Sequence, residues 1–237
     1  MPLTITKDVN RRAQQGDFYC TPQWATRALF RHVLEPHCGD TLLYHQSYLE
    51  PAAGDGHIAS VLKEYASDKA VQATDIKQRN YELDAVFDFI HDEFPENIRS
   101  HDWIITNPPF YLAGRFVETA LRCTSTARGG VAVLVKNTFL SSKTRYLAFY
   151  KNNPPTIVAP FSERVNIRKN TISRKNKNPQ DLMWLVWTNR KKFSEKRLQN
   201  GQKYSTIIWI PPCRAELERD ADYKQPSEWS ENVFELF

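Results

Sequence analysis

The feature that most constrains this chain is a short apolar run that ends abruptly at two prolines. Trp103-Ile104-Ile105-Thr106 reads as a buried strand, and Asn107-Pro108-Pro109-Phe110 follows it directly. The proline rings fix φ and remove backbone donors, so the strand cannot continue through them. What remains is a rigid corner that combines an amide side chain, carbonyl oxygens and an aromatic ring. Such a corner can accept hydrogen bonds from a planar amino group while the ring stacks on the base that carries that group.

Apolar strand patterns alternate with helical patterns along the chain. Strands are predicted at 47–51, 71–75, 103–106, 131–135, 156–158, 182–187 and 206–210, and helices from Thr21 onward and at 58–66, 116–123 and 140–150. We expect Thr21 to cap the first helix and Pro22 to be its first residue. The alternation predicts an α/β fold with a mostly parallel twisted sheet, helices on both faces, and an antiparallel edge hairpin made by the last two strands.

The length of 237 residues fits one main domain at 16–212, which contains a basic loop at 164–178. Residues 1–15 are expected to form a flexible arm and residues 213–237 an acidic tail. No apolar run approaches the roughly 20 residues of a membrane-spanning helix, and no signal-peptide core is visible. The four cysteines form no C-x-x-C pair. We therefore expect a cytoplasmic protein with reduced thiols and no metal site.

The net charge of +5 is unevenly distributed. Between Arg164 and Lys203 there are twelve Lys or Arg and two Asp or Glu, so the rest of the chain is net acidic. This distribution predicts a surface for a polyanion, although a solvated charge run would give the same pattern. The residues expected to contact phosphates are Arg164, Arg168, Lys169, Arg174, Lys175, Lys177, Arg190, Lys191 and Lys192.

Polar residues also follow the first two predicted strands of the sheet. The first runs into Glu50-Pro51-Ala52-Ala53-Gly54-Asp55-Gly56, whose glycines permit a tight turn and close approach of a ligand. The second ends at Asp75, where nucleotide-binding α/β folds bind ribose hydroxyls. Because ligands of such sheets bind at the carboxyl ends of strands, we expect these residues to share a site with Asn107. Asp55 disfavours a pyrophosphate, so the pattern favours a nucleoside that carries a cationic group.

With these residues the chain resembles the class I S-adenosylmethionine-dependent methyltransferases, specifically the small phage-type N6-adenine DNA methyltransferases. The resemblance runs from Phe18 to Ile210 and implies a Rossmann-like fold. The motifs that carry it are Phe18-Tyr19-Cys20-Thr21-Pro22, Glu50 to Gly56, Thr74-Asp75-Ile76, Asp88-Phe89-Ile90, Asn107 to Phe110 and Met183 to Trp187. The residues that it implies for binding S-adenosylmethionine are Tyr19, Thr21, Pro22, Glu50, Pro51, Ala52, Gly54, Asp55, Gly56, Asp75, Ile76, Asp88 and Phe89. Phe89 could equally be a residue of the hydrophobic core without a role in cofactor binding.

The resemblance implies methylation of the N6 amino group of adenine in DNA. It assigns the catalytic corner to Asn107, Pro108, Pro109 and Phe110. The side-chain oxygen of Asn107 and the carbonyl oxygen of Pro108 would accept the two N6 hydrogens, and Phe110 would stack on the flipped base. The family often has a second aromatic after an Arg in the late basic loop, which is lacking after Arg164. Ile167 or Trp184 therefore packs on the other face of the base, or stacking is one-sided.

Other functions share this sequence pattern. An Asn-Pro-Pro-aromatic corner also serves enzymes that methylate adenine in RNA or a glutamine amide in a protein. A non-catalytic nucleic-acid-binding module would keep the basic loop. No separate target-recognition domain is visible, so sequence specificity is low, resides in the basic loop, or requires a partner, either a second copy of the chain or a specificity protein.

Overall fold

The protein is described here from a computed structural model. The described residues are 19–38, 43–98, 100–124, 128–169, 173, 178–188, 198–199 and 202–224. An eight-stranded sheet forms the centre of the fold. Its strands are β1 (Tyr48–Glu50), β2 (Val71–Asp75), β3 (Ala85–Val86), β4 (Trp103–Thr106), β5 (Gly130–Lys136), β6 (Ile157–Pro160), β7 (Leu182–Trp187) and β8 (Thr206–Ile207).

The order of strands across the sheet is β8-β6-β7-β5-β4-β1-β2-β3. All neighbours pair in parallel except β7, which is antiparallel to both β5 and β6. The prediction of a mostly parallel α/β sheet with an antiparallel component is confirmed. Short antiparallel ladders lie outside this sheet, including a hairpin between Leu198–Gln199 and Gln202–Lys203.

The predicted pairing of the last two sheet strands is wrong. β8 pairs in parallel with β6, with Thr206 opposite Ile157, and does not touch β7. β7 is buried at every position, so its apolar side chains are stabilised on both faces of the sheet interior. β8 is exposed at Thr206 and Ile207, which suits an edge strand.

Three longer helices cover the two faces of the sheet. They are α1 (Gln23–Leu29, continued by a π-helical turn at Phe30–Leu34 and by Glu35–Cys38), α2 (His57–Tyr65) and α3 (Ala113–Cys123). Successive β4 side chains point to opposite faces, as the period of a strand requires. Trp103 and Ile105 join the apolar cluster beneath α1 and α2, whereas Ile104 joins the cluster beneath α3. The predicted placement of helices on both faces is therefore confirmed.

The segment between β5 and β6 is less regular than the helix predicted at 140–150. It contains a 3₁₀ turn at Asn137–Leu140, one α-helical turn at Lys143–Arg145 and a π-helical turn at Tyr146–Tyr150. The Arg145 side chain donates to the carbonyl oxygen of Phe139 over 2.6 Å. This bond links the α-helical turn to the 3₁₀ turn that precedes it.

The start of the C-terminal region, predicted as a separate acidic tail, packs against α1. Arg27 is buried and its Nη2 lies 2.7 Å from both Asp222 Oδ1 and Glu64 Oε1. The same guanidinium donates from Nη1 to the carbonyl oxygen of Leu217 over 2.8 Å. Buried charge is tolerated here because every side of the guanidinium meets an acceptor. None of the helices in the described ranges is long and apolar enough to cross a membrane.

Candidate active site

A cleft lies where the carboxyl ends of β1, β2 and β4 meet, and its volume is about 1080 Å³ including the solvent space at its entrance. Most of the predicted catalytic and cofactor-binding residues line it. Those are Tyr19, Thr21, Pro51, Ala52, Asp55, Asp75, Ile76, Asp88, Phe89, Asn107, Pro108 and Pro109. Cys20, Ala53 and Ile90, which belong to the motifs but were assigned no role, also line it. The lining residues that no motif indicated are His57, Ile58, Arg79, His91, Tyr111, Leu112 and Phe116. The remaining predicted residues, Pro22, Glu50, Gly54, Gly56 and Phe110, stand behind this lining or beside it.

The loop between β1 and α2 is shaped by two glycines with positive φ. The φ angle is 57° at Gly54 and 79° at Gly56, and both lie in the left-handed region that favours glycine. A Cβ atom at Gly56 would stand 2.0 Å from Cδ2 of Tyr81. The backbone N–H of Gly54 donates to Asp75 Oδ2 over 2.9 Å, which ties this loop to the end of β2. The predicted glycine turn therefore exists, and Asp75 fixes its position.

Glu50 is a fully buried carboxyl at the end of β1. Its Oε1 accepts hydrogen bonds from Thr106 Oγ1 over 2.6 Å and from the backbone N–H of Ala52 over 3.0 Å. Its Oε2 is buried, and no partner for it is found among the described residues. Burial raises the pKa of Glu50 to about 8, against the two hydrogen bonds that lower it. The carboxyl is therefore largely protonated near neutral pH, and Oε2 becomes an acceptor only when that proton leaves.

Asp75 lies at the carboxyl end of β2 and lines the cleft. Its two oxygens accept from the backbone N–H groups of Gly54 and Lys77. Burial raises the pKa of Asp75, and these backbone donors oppose the rise. The carboxyl retains lone pairs that can accept from a hydroxyl in the cleft. The next residue, Ile76, is half exposed and adds apolar surface beside it.

Asn107 follows β4 and is held in one orientation. Its Nδ2 donates to Thr21 Oγ1 over 2.9 Å and to the carbonyl oxygen of Tyr19 over 3.3 Å. Its Oδ1 is buried, and no hydrogen-bond partner for it is found in the described part of the chain. The bonds of Nδ2 thus hold the amide of a residue that lines the cleft. The prediction that Thr21 caps α1 is wrong. The helix begins at Gln23, Pro22 is its N-cap residue, and no side-chain cap bond forms.

Phe110 contacts both an aromatic ring and a cation. Its ring stacks on that of Tyr19 with 5.6 Å between centroids and 26° between planes. Lys136 Nζ lies 4.9 Å from the Phe110 centroid. Because Lys136 is the last residue of β5, the neighbouring strand contributes a positive charge beside Phe110.

Asp88 and Phe89 form the wall of the cleft beyond β3. Asp88 Oδ1 accepts from the backbone N–H of Ile90 over 2.9 Å, and its Oδ2 lies 2.9 Å from His91 Nδ1. Phe89 is buried and stacks on Phe116 with 5.3 Å between centroids. The sequence left Phe89 as either a core residue or a cleft residue. In the structure it belongs to the core and part of its surface lines the cleft.

Three possible metal ligands also meet in this cleft. One ligand atom each from Cys20, Asp55 and His57 lies within 4.8 Å of the others. Burial raises the pKa of the Cys20 thiol to about 12 and lowers the pKa of His57 to about 4, so both are uncharged at neutral pH. The positive charge of Arg79 acts on the Cys20 thiol and opposes a second cation nearby. The sequence spacing gave no indication of this cluster because Cys20 is distant in sequence from Asp55 and His57.

The basic residues predicted to bind phosphate are only partly described. Arg164 is exposed and its Nε lies 2.9 Å from Asp181 Oδ1. Arg168 and Lys169 form a short strand antiparallel to Tyr19–Cys20, which brings the backbone of the basic loop to the wall of the cleft. The others, Arg174, Lys175, Lys177, Arg190, Lys191 and Lys192, lie outside the described residues.

Neither residue suggested as a second stacking partner is available. Ile167 and Trp184 are both fully buried in the core beneath α1. The Trp184 indole Nε1 donates to the carbonyl oxygen of Ala25 over 3.0 Å, which fixes it away from the cleft. Of the alternatives raised by the sequence, one-sided stacking on Phe110 remains.

The sequence matches no protein-family model and no curated protein. The structure is similar to the methyltransferase subunit of a type I restriction-modification system from Streptococcus thermophilus, with a TM-score of 0.56 and 11% identity over 91% of this chain and 53% of that one. It is also similar to a chain from Vibrio vulnificus described as a modification subunit of a type I restriction enzyme, with a TM-score of 0.51 and 15% identity over 97% of this chain and 56% of that one. The chain thus spans about half the length of these structures. The similarity establishes the Rossmann-like fold of the methyltransferases, as predicted.

Proposed function

We propose that the protein is an S-adenosylmethionine-dependent methyltransferase that acts on the N6 amino group of adenine in DNA. The observation that carries the proposal is the buried Oδ1 of Asn107, an acceptor with no partner among the described residues. An unsatisfied buried acceptor is costly, so a fixed one at the wall of a cleft points to a ligand donor. An exocyclic amino group is a donor of the required kind.

The residues around the cleft fit S-adenosylmethionine. Glu50 Oε2 is a second buried acceptor without a described partner, and it suits the amino group of the methionine part. Asp75 suits the ribose hydroxyls, and Ile76 and Phe89 offer apolar surface for the adenine ring. The turn at Gly56 leaves room that a side chain would fill. When bound, the cofactor would supply an electrophilic methyl group.

The chain itself contributes hydrogen bonding and position. The adenine amine is a poor nucleophile because its lone pair is delocalised into the ring. Asn107 Oδ1 and the carbonyl oxygen of Pro108 accept its two hydrogens, which favours a tetrahedral nitrogen and stabilises the positive charge that develops there. The bonds to Thr21 and Tyr19 hold the Asn107 side chain. Pro109 restricts ψ of Pro108, which sets the direction of the Pro108 carbonyl oxygen. Holding the amine at the methyl group supplies most of the rate acceleration.

Phe110 receives the base when it leaves the helix stack. Extrusion costs a few kcal/mol, and stacking on one ring returns roughly 1–3 kcal/mol. Tyr19 supports Phe110 from its own side at 5.6 Å, so the Phe110 ring is already in place before the base arrives. The pocket is thus organised in advance for one planar heterocycle.

DNA is the proposed polymer for two reasons. The basic loop reaches the cleft through the pairing of Arg168–Lys169 with Tyr19–Cys20. The two similar structures are described as subunits of restriction systems, which supports DNA over RNA or protein. Sequence specificity is proposed to need a partner, because both of those structures are described as subunits.

The test offers the protein a labelled methyl donor together with DNA, RNA and a protein mixture in separate reactions. The proposal expects label in DNA and none in RNA or protein, with Asn107→Ala as the inactive control. Label confined to RNA or to protein would contradict the choice of polymer. If the preparation binds the cofactor but DNA, RNA and protein all remain unlabelled, the proposed activity is contradicted.

A further inference from the structure

The positive charge of this chain extends well before the basic loop. Between Glu118 and Glu163 the sequence has no Asp or Glu. The basic residues in that interval are Arg122, Arg128, Lys136, Lys143, Arg145 and Lys151. Four of these belong to residues 136–151, which are described throughout and which we call the 136–151 surface. In the described part of the chain, Lys143 and Lys151 take part in no ion pair, so their charges are available to a partner.

The 136–151 surface begins beside the catalytic corner. It starts at the carboxyl end of β5, and β5 is parallel to β4, which ends next to Asn107. Lys136 Nζ lies 4.9 Å from the centroid of Phe110. A polymer whose target group reaches Asn107 must therefore pass close to this segment.

The surface is anchored from beneath rather than loosely attached. Phe139 and Phe149 are buried and lie 6.3 Å apart between ring centroids. The carbonyl oxygen of Phe139 accepts from Arg145 Nε over 2.6 Å and from Tyr150 Oη over 3.1 Å. Ser142 Oγ accepts from the backbone N–H of Arg145 and caps the short α-helical turn. An anchored segment loses little conformational entropy when it binds a partner.

Large apolar side chains are exposed on this anchored segment. Tyr146 is 53% exposed, Leu147 57% and Leu140 42%. Tyr146 and Leu147 open a π-helical turn, a rare conformation that occurs often at functional sites. Interspersed lysines and an exposed ring are the features by which proteins hold unpaired nucleotides, because lysines bind phosphates and rings stack on bases.

Resting on the proposed function, we propose that the 136–151 surface binds the DNA strand that flanks the target adenine. Lys136 and Lys143 contact phosphates, and Tyr146 stacks on an unpaired base next to the extruded one. The uniform positive charge favours a polyanion over a protein, because protein interfaces are depleted of lysine and would leave these charges unpaired. The surface thus extends the nucleic-acid interface to residues outside the basic loop.

The test measures binding of a fluorescently labelled DNA oligonucleotide at several salt concentrations, in the absence of cofactor. Tyr146→Ala is expected to weaken binding about 5- to 100-fold, the loss that follows removal of one stacked base. Tyr146→Phe keeps the ring and is expected to bind like the wild type. Lys143→Ala is expected to reduce the slope of log K against log salt by about 0.7–0.9, the share of one phosphate contact.

Tyr44→Ala is the matched control, since Tyr44 is also 53% exposed and precedes the amino end of β1, whereas the 136–151 surface begins at the carboxyl end of β5. Wild-type affinity in Tyr146→Ala, or an equal loss in Tyr44→Ala, would overturn the proposal. Tighter binding of RNA of the same sequence, with the same dependence on Tyr146, would overturn the choice of DNA. A wild-type protein that binds no S-adenosylmethionine and methylates no DNA contradicts the proposed function, but the effect of Tyr146 on DNA affinity is read independently of that result.

Discussion

Asn107 donates a hydrogen bond from its side-chain amide to the hydroxyl of Thr21 over 2.9 Å. The carbonyl oxygen of Tyr19, which can only accept, lies 3.3 Å from the same nitrogen. These two acceptors fix the orientation of the amide: Nδ2 is held against Tyr19 and Thr21, and Oδ1 is the end without a hydrogen-bond partner among the described residues. Thr21 therefore orients the group that the proposed reaction depends on.

Replacement of Thr21 by valine should lower methyl transfer more than it lowers cofactor affinity. Thr21→Val removes the closer acceptor and leaves the Asn107 amide held only by the longer bond to Tyr19, so kcat is expected to fall about 10- to 100-fold, equivalent to ~1–3 kcal/mol. Thr21→Ser keeps the hydroxyl and should retain most of the activity. Steady-state kinetics and calorimetric titration with the cofactor separate the two effects. Equal losses in Thr21→Val and Thr21→Ser would show that the hydroxyl does not orient Asn107.

The same residue shows what a local pattern can and cannot predict. Thr21-Pro22 correctly predicted that a helix starts nearby, because backbone preferences at helix starts are local. The hydroxyl of Thr21 was nevertheless assigned to the wrong partner, since Asn107 is distant in sequence and approaches only in the folded chain. Local backbone preferences determine where α1 starts, whereas the contact with Asn107 in the folded chain determines the role of the Thr21 side chain.

Glu50 should link cofactor binding to pH. Its pKa is raised to about 8 by burial, so the free protein holds this proton at neutral pH. A bound ammonium group stabilises the ionised carboxylate and lowers the pKa of Glu50. Binding is therefore expected to release a proton at pH 7, and affinity should rise with pH until about 8 and then level off. Calorimetry at pH 7 in buffers of different ionisation enthalpy measures the proton release directly.

Glu50→Gln is the control for this linkage and also tests the pKa itself. The amide can keep the bond to Thr106 but cannot ionise, so its titration should show no proton release. In the wild type the folded-state pKa of Glu50 is raised from 4.5 to about 8, so stability is lost as the pH rises between these values. The unfolding free energy of wild type should therefore fall relative to Glu50→Gln over that range. Parallel stability curves for the two proteins would rule out the raised pKa.

Gly56→Ala should destabilise the protein and impair cofactor binding. The residue has φ 79°, and its Cβ would stand 2.0 Å from the Tyr81 ring. The left-handed conformation alone costs about 1–3 kcal/mol for a residue with a side chain, and displacement of Tyr81 adds to it. Urea unfolding measures this cost, and cofactor titration measures its consequence at the cleft.

Gly114→Ala is the matched control for that substitution. Gly114 lies in α3, and a Cβ there would meet nothing within 4 Å. Alanine in a helix is favoured over glycine by about 0.8–1.0 kcal/mol, so this variant should be slightly more stable with unchanged cofactor affinity. Similar effects of the two alanines would mean that the Gly56 turn does not shape the site.

The strands were predicted more accurately than their neighbours in the sheet. β2 and β4 lie at the predicted residues because each has a local strand pattern: β4 is a short apolar run, and β2 alternates Val71 and Ala73 with polar residues. The pairing of β8 with β6 instead of β7 depends on which edge is open in the folded sheet, and no local pattern encodes that.

The candidate site was predictable where its chemistry lies at strand ends. Asp75 and Asn107 follow apolar runs, so their common edge could be inferred from a parallel sheet. Arg79 and His57 were missed because neither belongs to a recognisable motif, yet both line the cleft. The burial of Trp184 excludes it as a stacking residue. The sequence could not show this, because an aromatic residue can belong either to a core or to a binding surface.

The most direct test of the account identifies the methylated nucleoside. DNA treated with the protein and S-adenosylmethionine is digested to nucleosides and analysed by mass spectrometry, with Asn107→Ala in parallel. The account predicts N6-methyl-2′-deoxyadenosine with the wild type and none with Asn107→Ala, while the variant binds the cofactor within a few-fold of the wild type. Methylcytosine as the product, or undiminished methyladenine from Asn107→Ala, would contradict the role assigned to the Asn107-Pro108-Pro109-Phe110 corner.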